Sequence, residues 1–226
     1  MEDEIDVARY EVVAKTSAFA IALVHALSFL NEAEESAERG DSRAASIFVE
    51  AAWATYHGDG EICSLFYNND RRKNEFNPPA GGDVNEFVTS AFETALSDGV
   101  TEESATNLLR EVILGSLLTY LRAAIRYATK LDAHAAARDE DEVREYQYEG
   151  LSYFNVIEPI VADLAPDAAN AIVSAFTQTD GVVPADVDLE TYEPVLDDVK
   201  EAVASVLESV GLAPDLIGAF DYEIDA

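Results

Sequence analysis

Apolar residues recur every three or four positions along most of this 226-residue chain, and this helical period is the feature that most restricts its fold. In the segment from Val7 to Glu38 the period is carried by Val13, Phe19, Leu23, Leu27 and Leu30. A segment from Thr101 to about Arg138 carries it through Leu109, Ile113, Leu117, Leu121 and Ile125. No segment shows sustained alternation with a period of two, so we expect an all-α fold.

Glycine, proline and acidic turns divide the rest of the chain into shorter helices. We expect these helices at about 42–56, 84–96, 140–157, 168–176 and 192–210. The pairs Asn68-Asn69, Pro78-Pro79 and Gly81-Gly82 interrupt any period, so residues 58–83 are expected to form a loop with at most short helices. An acidic tail follows the last helix.

The chain also resembles itself, which indicates an internal repeat. Glu11-Val12-Val13 matches Glu111-Val112-Ile113, and Val88–Phe92 matches Ile172–Phe176 in the same order. We therefore predict a helical bundle of two related three-helix repeats plus a C-terminal helix. The repeats would cover residues 7–99, with 58–83 as an inserted loop, and residues 101–178; the C-terminal helix and acidic tail would occupy 186–226.

The formal charge of −31 comes from 45 acidic residues against 14 Lys and Arg. Self-repulsion at this charge destabilises a compact chain in dilute buffer, whereas molar salt shortens the Debye length to about 3 Å and screens it. Acid excess with few lysines is typical of proteins from halophiles, so we interpret the charge as salt adaptation. The same charge repels phosphate backbones, and we expect no nucleic-acid partner.

Repeat-related carboxylates are the first candidates for a functional site. Glu11 pairs with Glu111 and Glu50 with Glu149, each among apolar neighbours in a predicted helix. A duplicated unit could bring these four groups to its axis, where oxygen ligands suit hard cations. An ordinary exposed acidic face is the alternative.

The other chemistry-bearing residues are few. His25 is expected to be a hydrogen-bonded core residue and His134 to face solvent. Arg71 and Arg72 belong to a basic patch that could bind an anion or pair with acidic residues of the neighbouring helices and so fix the long loop. Cys63 is the single cysteine, which excludes an intrachain disulfide. Because no catalytic motif is present, we expect no enzymatic activity.

Two motifs carry a family resemblance. Tyr148–Phe154 followed by Val156–Pro159 resembles a signature of the low-iron-inducible periplasmic iron-assimilation proteins of algae and their haloarchaeal relatives, and Trp53–Tyr56 with Asp70–Arg72 resembles the first-half pattern of that family. The resemblance spans about residues 8–178 and implies extracytoplasmic iron binding without a catalytic step. It implies site roles for Glu50, Glu149 and Glu158. One departure is His57-Gly58-Asp59, which stands where the second half has Val156-Ile157-Glu158.

Together these patterns predict a non-catalytic metal-binding protein of a halophile, with iron as its ion, that acts in iron assimilation or storage. The candidate metal ligands are Glu11, Glu50, Glu111, Glu149, Glu158 and His57. The alternative is a helical interaction module with a protein partner and no metal. We expect no membrane span, because the apolar stretch from Thr16 to Leu30 is shorter than the roughly 20 residues required. The resemblance implies an extracytoplasmic location; the absence of a signal peptide in the chain favours the cytoplasm instead.

Overall fold

The computed structural model describes residues 2–59, 64–178 and 188–224, with side chains from residue 16 onward. These residues form nine α-helices and one 3₁₀ helix, and no strand occurs among them. The all-α prediction is confirmed. The helices are α1 (Glu2–Glu38), α2 (Ser42–His57), α3 (Leu65–Phe76), α4 (Val84–Ser97), α5 (Glu102–Ala137), α6 (Glu140–Asn155), α7 (Glu158–Leu164), α8 (Pro166–Thr177), α9 (Leu196–Ser209) and the 3₁₀ helix Pro214–Ile217.

Two turns of the same construction join the long helices to the helices that follow them. After α1, Gly40 adopts a positive φ of 77° and the Asp41 amide donates to the Ser36 carbonyl at 2.9 Å. After α5, Arg138 has a φ of 59° and the Asp139 amide donates to the His134 carbonyl at 3.0 Å. This is the geometry of a Schellman cap, which satisfies carbonyls that a helix end leaves open.

In both turns an aspartate then starts the next helix. An Asp41 carboxylate oxygen accepts from the Ala44 amide at 3.0 Å, and one from Asp139 accepts from the Glu142 amide at 3.4 Å. Both are N-caps that satisfy an amide of the first turn. The matching turns agree with the predicted duplication, which remains a prediction.

Helix α3 lies where the sequence predicted a loop with at most short helices, so that prediction is wrong for residues 65–76. Ser64 caps the helix by accepting from the Tyr67 amide at 3.0 Å, and Asn77 ends it with a φ of 42°. Asn68 and Asn69, which we interpreted as helix breakers, are buried on the inner face of α3. Cys63 lies outside the described residues.

Helix α9 begins without a cap from its own segment. Asp132 of α5 supplies the missing acceptor: the Val195 and Leu196 amides donate to its two carboxylate oxygens at 2.9 and 3.0 Å. The same carboxylate accepts a hydrogen bond from the Tyr192 hydroxyl. One side chain of α5 thereby fixes the start of a helix about sixty residues further along the chain.

The chain divides into two compact units, residues 17–119 and residues 1–16 with 120–226. In the first unit α2, α3 and α4 pack on one another, and Phe92 lies 5.0 Å from the Trp53 ring. In the second unit α8 packs against α6, α7 and α9. The division runs through α1 and α5, whereas the predicted repeats meet near residue 100. Those repeat boundaries remain a prediction.

Candidate functional site

Four basic side chains follow one another along the C-terminal half of α5, within the second unit. They are Arg122, Arg126, Lys130 and His134. A spacing of four residues places successive side chains on one face of a helix, one turn apart. We call this set the basic row.

The basic row holds the C-terminal segment of the chain. Arg122, which is fully buried, donates to the Leu216 carbonyl at 2.7 Å and to the Ile217 carbonyl at 3.0 Å. The Arg126 guanidinium lies 5.9 Å from the centre of the Phe220 ring, and the Lys130 ammonium lies 5.0 Å from that of Tyr222. The predicted acidic tail is therefore a packed segment within residues 214–224, attached to α5 by hydrogen bonds and cation–π contacts.

At its C-terminal end the basic row joins a set that we call the tyrosine–histidine cluster. Its members are Lys130, His134, Asp139, Glu142, Tyr146 and Tyr222. His134 Nε2 lies 2.9 Å from the Tyr222 hydroxyl, and its Nδ1 lies 3.3 Å from an Asp139 carboxylate oxygen. Glu142 and Tyr222 both help to raise the pKa of the Tyr146 phenol. Lys130 Nζ donates to the Tyr146 hydroxyl at 3.3 Å.

Burial and charge control the protonation of this cluster. Burial raises the pKa of Tyr146 well above its ordinary value, and the nearby Glu142 carboxylate raises it further. The pKa of Lys130 is lowered, chiefly by burial and next by the Arg126 charge, although Glu149 and Glu142 partly oppose this shift. Tyr146 is therefore a neutral phenol at pH 7, and Lys130 holds its proton less firmly than an exposed lysine does.

The donor types in the cluster suit a metal ion. Asp139 contacts the imidazole at Nδ1, and Nε2 faces the Tyr222 phenol; ligating histidines are commonly held in this way by a carboxylate behind the ring. Within the described residues, His, Cys, Asp and Glu side chains form no group of three that could hold a metal ion. A metal at this cluster would therefore depend on the phenol oxygens of Tyr146 and Tyr222.

The structure places the five predicted glutamates on five different helices. Glu50 is exposed on α2 and Glu111 is half-buried on α5, both in the first unit. Glu149 and Glu158 are half-buried on α6 and α7 in the second unit. Among them, Glu149 acts electrostatically on Lys130 of the cluster. Glu11 lies on α1, and its side chain is outside the described part of the chain.

The predicted histidines have other surroundings. His57 packs between aromatic rings, 5.1 Å from Trp53 and 4.6 Å from Phe66, with Nδ1 3.2 Å from the Gly58 carbonyl. His25 is exposed, so the prediction of a core residue is wrong. His134 is 7% exposed, so the prediction of a solvent-facing side chain is also wrong. Tyr222 covers it, and that contact joins residues far apart in the sequence.

The basic patch of α3 pairs with acids. Arg71 lies 3.2 Å from Glu75, and the buried Arg72 guanidinium lies 2.5 Å from the other oxygen of the same carboxylate. Lys73 lies 2.5 Å from Asp83, which precedes α4. These ion pairs of Arg71 and Arg72 lie within α3, whereas pairs with neighbouring helices were expected; the Lys73 pair is the one that reaches the segment before α4.

A second buried polar group lies in the first unit. Tyr56 donates to Asn85 at 3.0 Å, and Asn69 donates to the Tyr56 oxygen at 2.5 Å. Thr119 donates to the Asn69 carbonyl oxygen at 2.6 Å, and Asn85 donates to the Phe66 carbonyl at 2.9 Å. These bonds connect α2, α3, α4 and α5 and satisfy one another, which indicates a structural role.

The surface has two further features, a cavity and an apolar helical stretch. A cavity of about 690 Å³ lies between α8 and α9, lined by small residues and by Asp167, Glu193, Asp198 and Glu201. Among the described residues, one stretch of α1, Thr16–Glu38, is long and apolar enough by composition to cross a membrane. Of its most apolar 18 residues, 28% are buried in the fold. Core helices of soluble proteins and signal sequences share these properties, so the stretch is not a clear membrane span.

Comparison with protein-family models found no match, and neither a curated protein nor a solved structure is significantly similar to the chain. The resemblance to iron-assimilation proteins therefore stays a prediction that rests on the motifs named above.

Proposed function

We propose that this chain is a non-catalytic metal-binding protein, with iron as its ion, and that the tyrosine–histidine cluster is its site. The observation that carries the proposal is the line from Asp139 through His134 to Tyr222. A carboxylate orients the imidazole on one side, and on the other side Nε2 lies 2.9 Å from a phenol oxygen. Imidazole, phenol and carboxylate together are ligands for a transition metal.

The proposed ligands differ from the glutamates expected from the sequence, but the site lies near one of those glutamates. Glu149, which the family resemblance implicates, lies one turn beyond Tyr146 on α6 and interacts with Lys130. In this proposal Glu149 contributes charge near the site, and Glu142, His134 and the two tyrosines supply the donors. Assimilation or storage of iron outside the cytoplasm is the role that the resemblance suggests for such binding.

The experiment is elemental mass spectrometry of protein purified in molar KCl without chelator, followed by titration with iron. Three variants locate the site: His134→Gln, the double variant Glu50→Ala with Glu149→Ala, and His25→Gln as a control on an exposed histidine. Saturable binding that His134→Gln weakens and His25→Gln leaves unchanged is expected. If the glutamate pair alone abolishes binding, the site lies at the predicted glutamates. If no metal binds, the proposed function is wrong.

A second candidate function, a helical interaction module, is favoured by the surface of α1. Ile21 and Val24 are 57% and 62% exposed and lie one turn apart. An apolar pair on the surface of so acidic a chain suits an interface with a second copy. Light scattering in molar KCl tests it: a dimer that Ile21→Glu dissociates is expected, with Ile47→Glu on α2 as the control. A monomeric native protein would contradict it.

A further inference from the structure

We infer that a cavity in the second unit binds a small apolar α-amino acid. The cavity has a volume of about 460 Å³ and lies where α9 and the C-terminal segment meet α5. None of the residues that line it belongs to the tyrosine–histidine cluster. The inference therefore stands apart from the proposed metal-binding function, and either one can fail without the other.

The floor of the cavity is apolar. Ile125 of α5, Val203 of α9 and Ile217 of the C-terminal segment line it, and each is at most 8% exposed. Phe220, which is half-buried, lines it as well. Ligand sites are typically cavities of about 300–1,000 Å³ with a mostly apolar lining and a few polar groups. The cavity therefore suits the aliphatic side chain of a small ligand.

Two charged side chains, Lys200 and Asp221, also line the cavity. Lys200 lies four residues after Leu196 and three before Val203, so it shares the apolar face of α9 with them. Both charged side chains are exposed, and in the described part of the chain neither takes part in an ion pair or a hydrogen bond. A positive and a negative group are thus open to a ligand at the same cavity.

A zwitterion is the ligand whose charges match both groups. The carboxylate of an α-amino acid can pair with the Lys200 ammonium, and its ammonium can pair with the Asp221 carboxylate. A simple carboxylic acid would bring its anion near Asp221, and a simple amine would bring its cation near Lys200, so each would meet a like charge. The two side chains therefore favour an amino acid over ligands that carry a single charge.

The walls of the cavity are held in place by bonds within the chain. Arg122 of α5 donates to the Leu216 and Ile217 carbonyls at 2.7 and 3.0 Å, which fixes the C-terminal segment beside α5. Asp132 of α5 accepts from the Leu196 amide at 3.0 Å, which fixes the start of α9. Because the site is formed before a ligand arrives, binding loses little free energy to the ordering of its walls.

The test is titration of the full chain in molar KCl with three probes, observed by NMR of the probe. The probes are L-leucine; 4-methylpentanoate, which is leucine without its amino group; and 3-methylbutylamine, which is leucine without its carboxylate. We expect saturable binding of leucine. Each of the other two probes should bind more weakly by about threefold to tenfold, because exposed charge pairs contribute modestly in salt.

Substitutions connect each charge of the ligand to its partner. Lys200→Met should remove the advantage of leucine over 3-methylbutylamine, and Asp221→Asn should remove its advantage over 4-methylpentanoate. Lys73→Met and Asp215→Asn change charges outside the cavity and should leave both advantages as they are. A loss of both advantages in the control variants as well would overturn the assignment of the two partners.

A third pair of variants tests the location. Ala219→Trp, at an exposed residue that lines the cavity, should fill it and abolish leucine binding, whereas Ala213→Trp, at an exposed residue outside it, should not. The inference is overturned if the native chain does not bind leucine, if either single-charge probe binds as well as leucine, or if Ala219→Trp leaves binding unchanged. Circular dichroism shows whether each variant has folded. If Ala219→Trp has not, the comparison of probes with Lys200→Met decides.

Discussion

Asp132 offers the sharpest test of how α5 organises the second unit. Its carboxylate accepts from the Val195 and Leu196 amides at the start of α9 and from the Tyr192 hydroxyl. A side-chain cap contributes about 1–2 kcal/mol, and a hydrogen bond to a charged group adds about 1.5–3 kcal/mol. Because the carboxylate is half-buried and molar salt screens it, we take the lower end of each range. Asp132→Ala should therefore lower the free energy of unfolding by about 2–3 kcal/mol.

The assay is urea unfolding in molar KCl, followed by circular dichroism, because guanidinium is itself a salt that would screen the charges. Asp197→Ala is the matched control: this exposed acid lies in the first turn of α9. It should change stability by less than about 0.5 kcal/mol. Hydrogen exchange should show that the amides of Val195 and Leu196 lose protection in Asp132→Ala alone. Equal effects of the two variants would refute the assignment of the cap.

Three further predictions use the same unfolding assay. Gly150→Ala would place a methyl group 2.1 Å from a ring carbon of the buried Phe176, so overpacking should lower the free energy of unfolding by about 1–3 kcal/mol. Phe176→Leu in the same chain should recover part of that loss. If the losses of the two substitutions simply add, the clash is not the cause. Thr119→Val removes a 2.6 Å hydrogen bond to the buried Asn69 and should lower the free energy of unfolding by about 1–3 kcal/mol. Thr129→Val, which loses only a bond to a carbonyl of its own helix, should lower it less. Equal losses would contradict a structural role for the buried polar group around Asn69. With a formal charge of −31, the unfolding temperature should rise between dilute buffer and molar KCl, and a temperature independent of salt would refute the interpretation of the charge as salt adaptation.

The sequence is informative where a structural signal is local. Long helices follow from apolar periodicity, and the Asp41 and Asp139 caps occupy acidic turns that the sequence marks as boundaries. Helix α3 was missed because Asn68 and Asn69 are poor helix formers when exposed. In the fold both are buried, and Asn69 is satisfied by Tyr56 and Thr119. In α3, tertiary hydrogen bonds outweigh the low helix propensity of asparagine.

The candidate site was missed for a different reason. The four-residue spacing from Arg122 to His134 is visible in the sequence, and it could have suggested a basic face on α5. Nothing local indicates that Tyr222, some ninety residues later, returns to His134. A tyrosine in an acidic tail is more often exposed to solvent. Only the packing of residues 216–224 on α5 shows which tyrosines are close to an imidazole.

The attachment of the C-terminal segment to the basic row has a consequence for register. Arg122 binds the Leu216 and Ile217 carbonyls, Arg126 contacts the Phe220 ring one turn later, and Lys130 and His134 both contact Tyr222. The intervals along the segment are therefore unequal. A slip of two residues in either direction would place Phe220 or Ile224 opposite His134. Neither side chain has a hydroxyl for that contact, so the Tyr222 hydroxyl distinguishes the correct register.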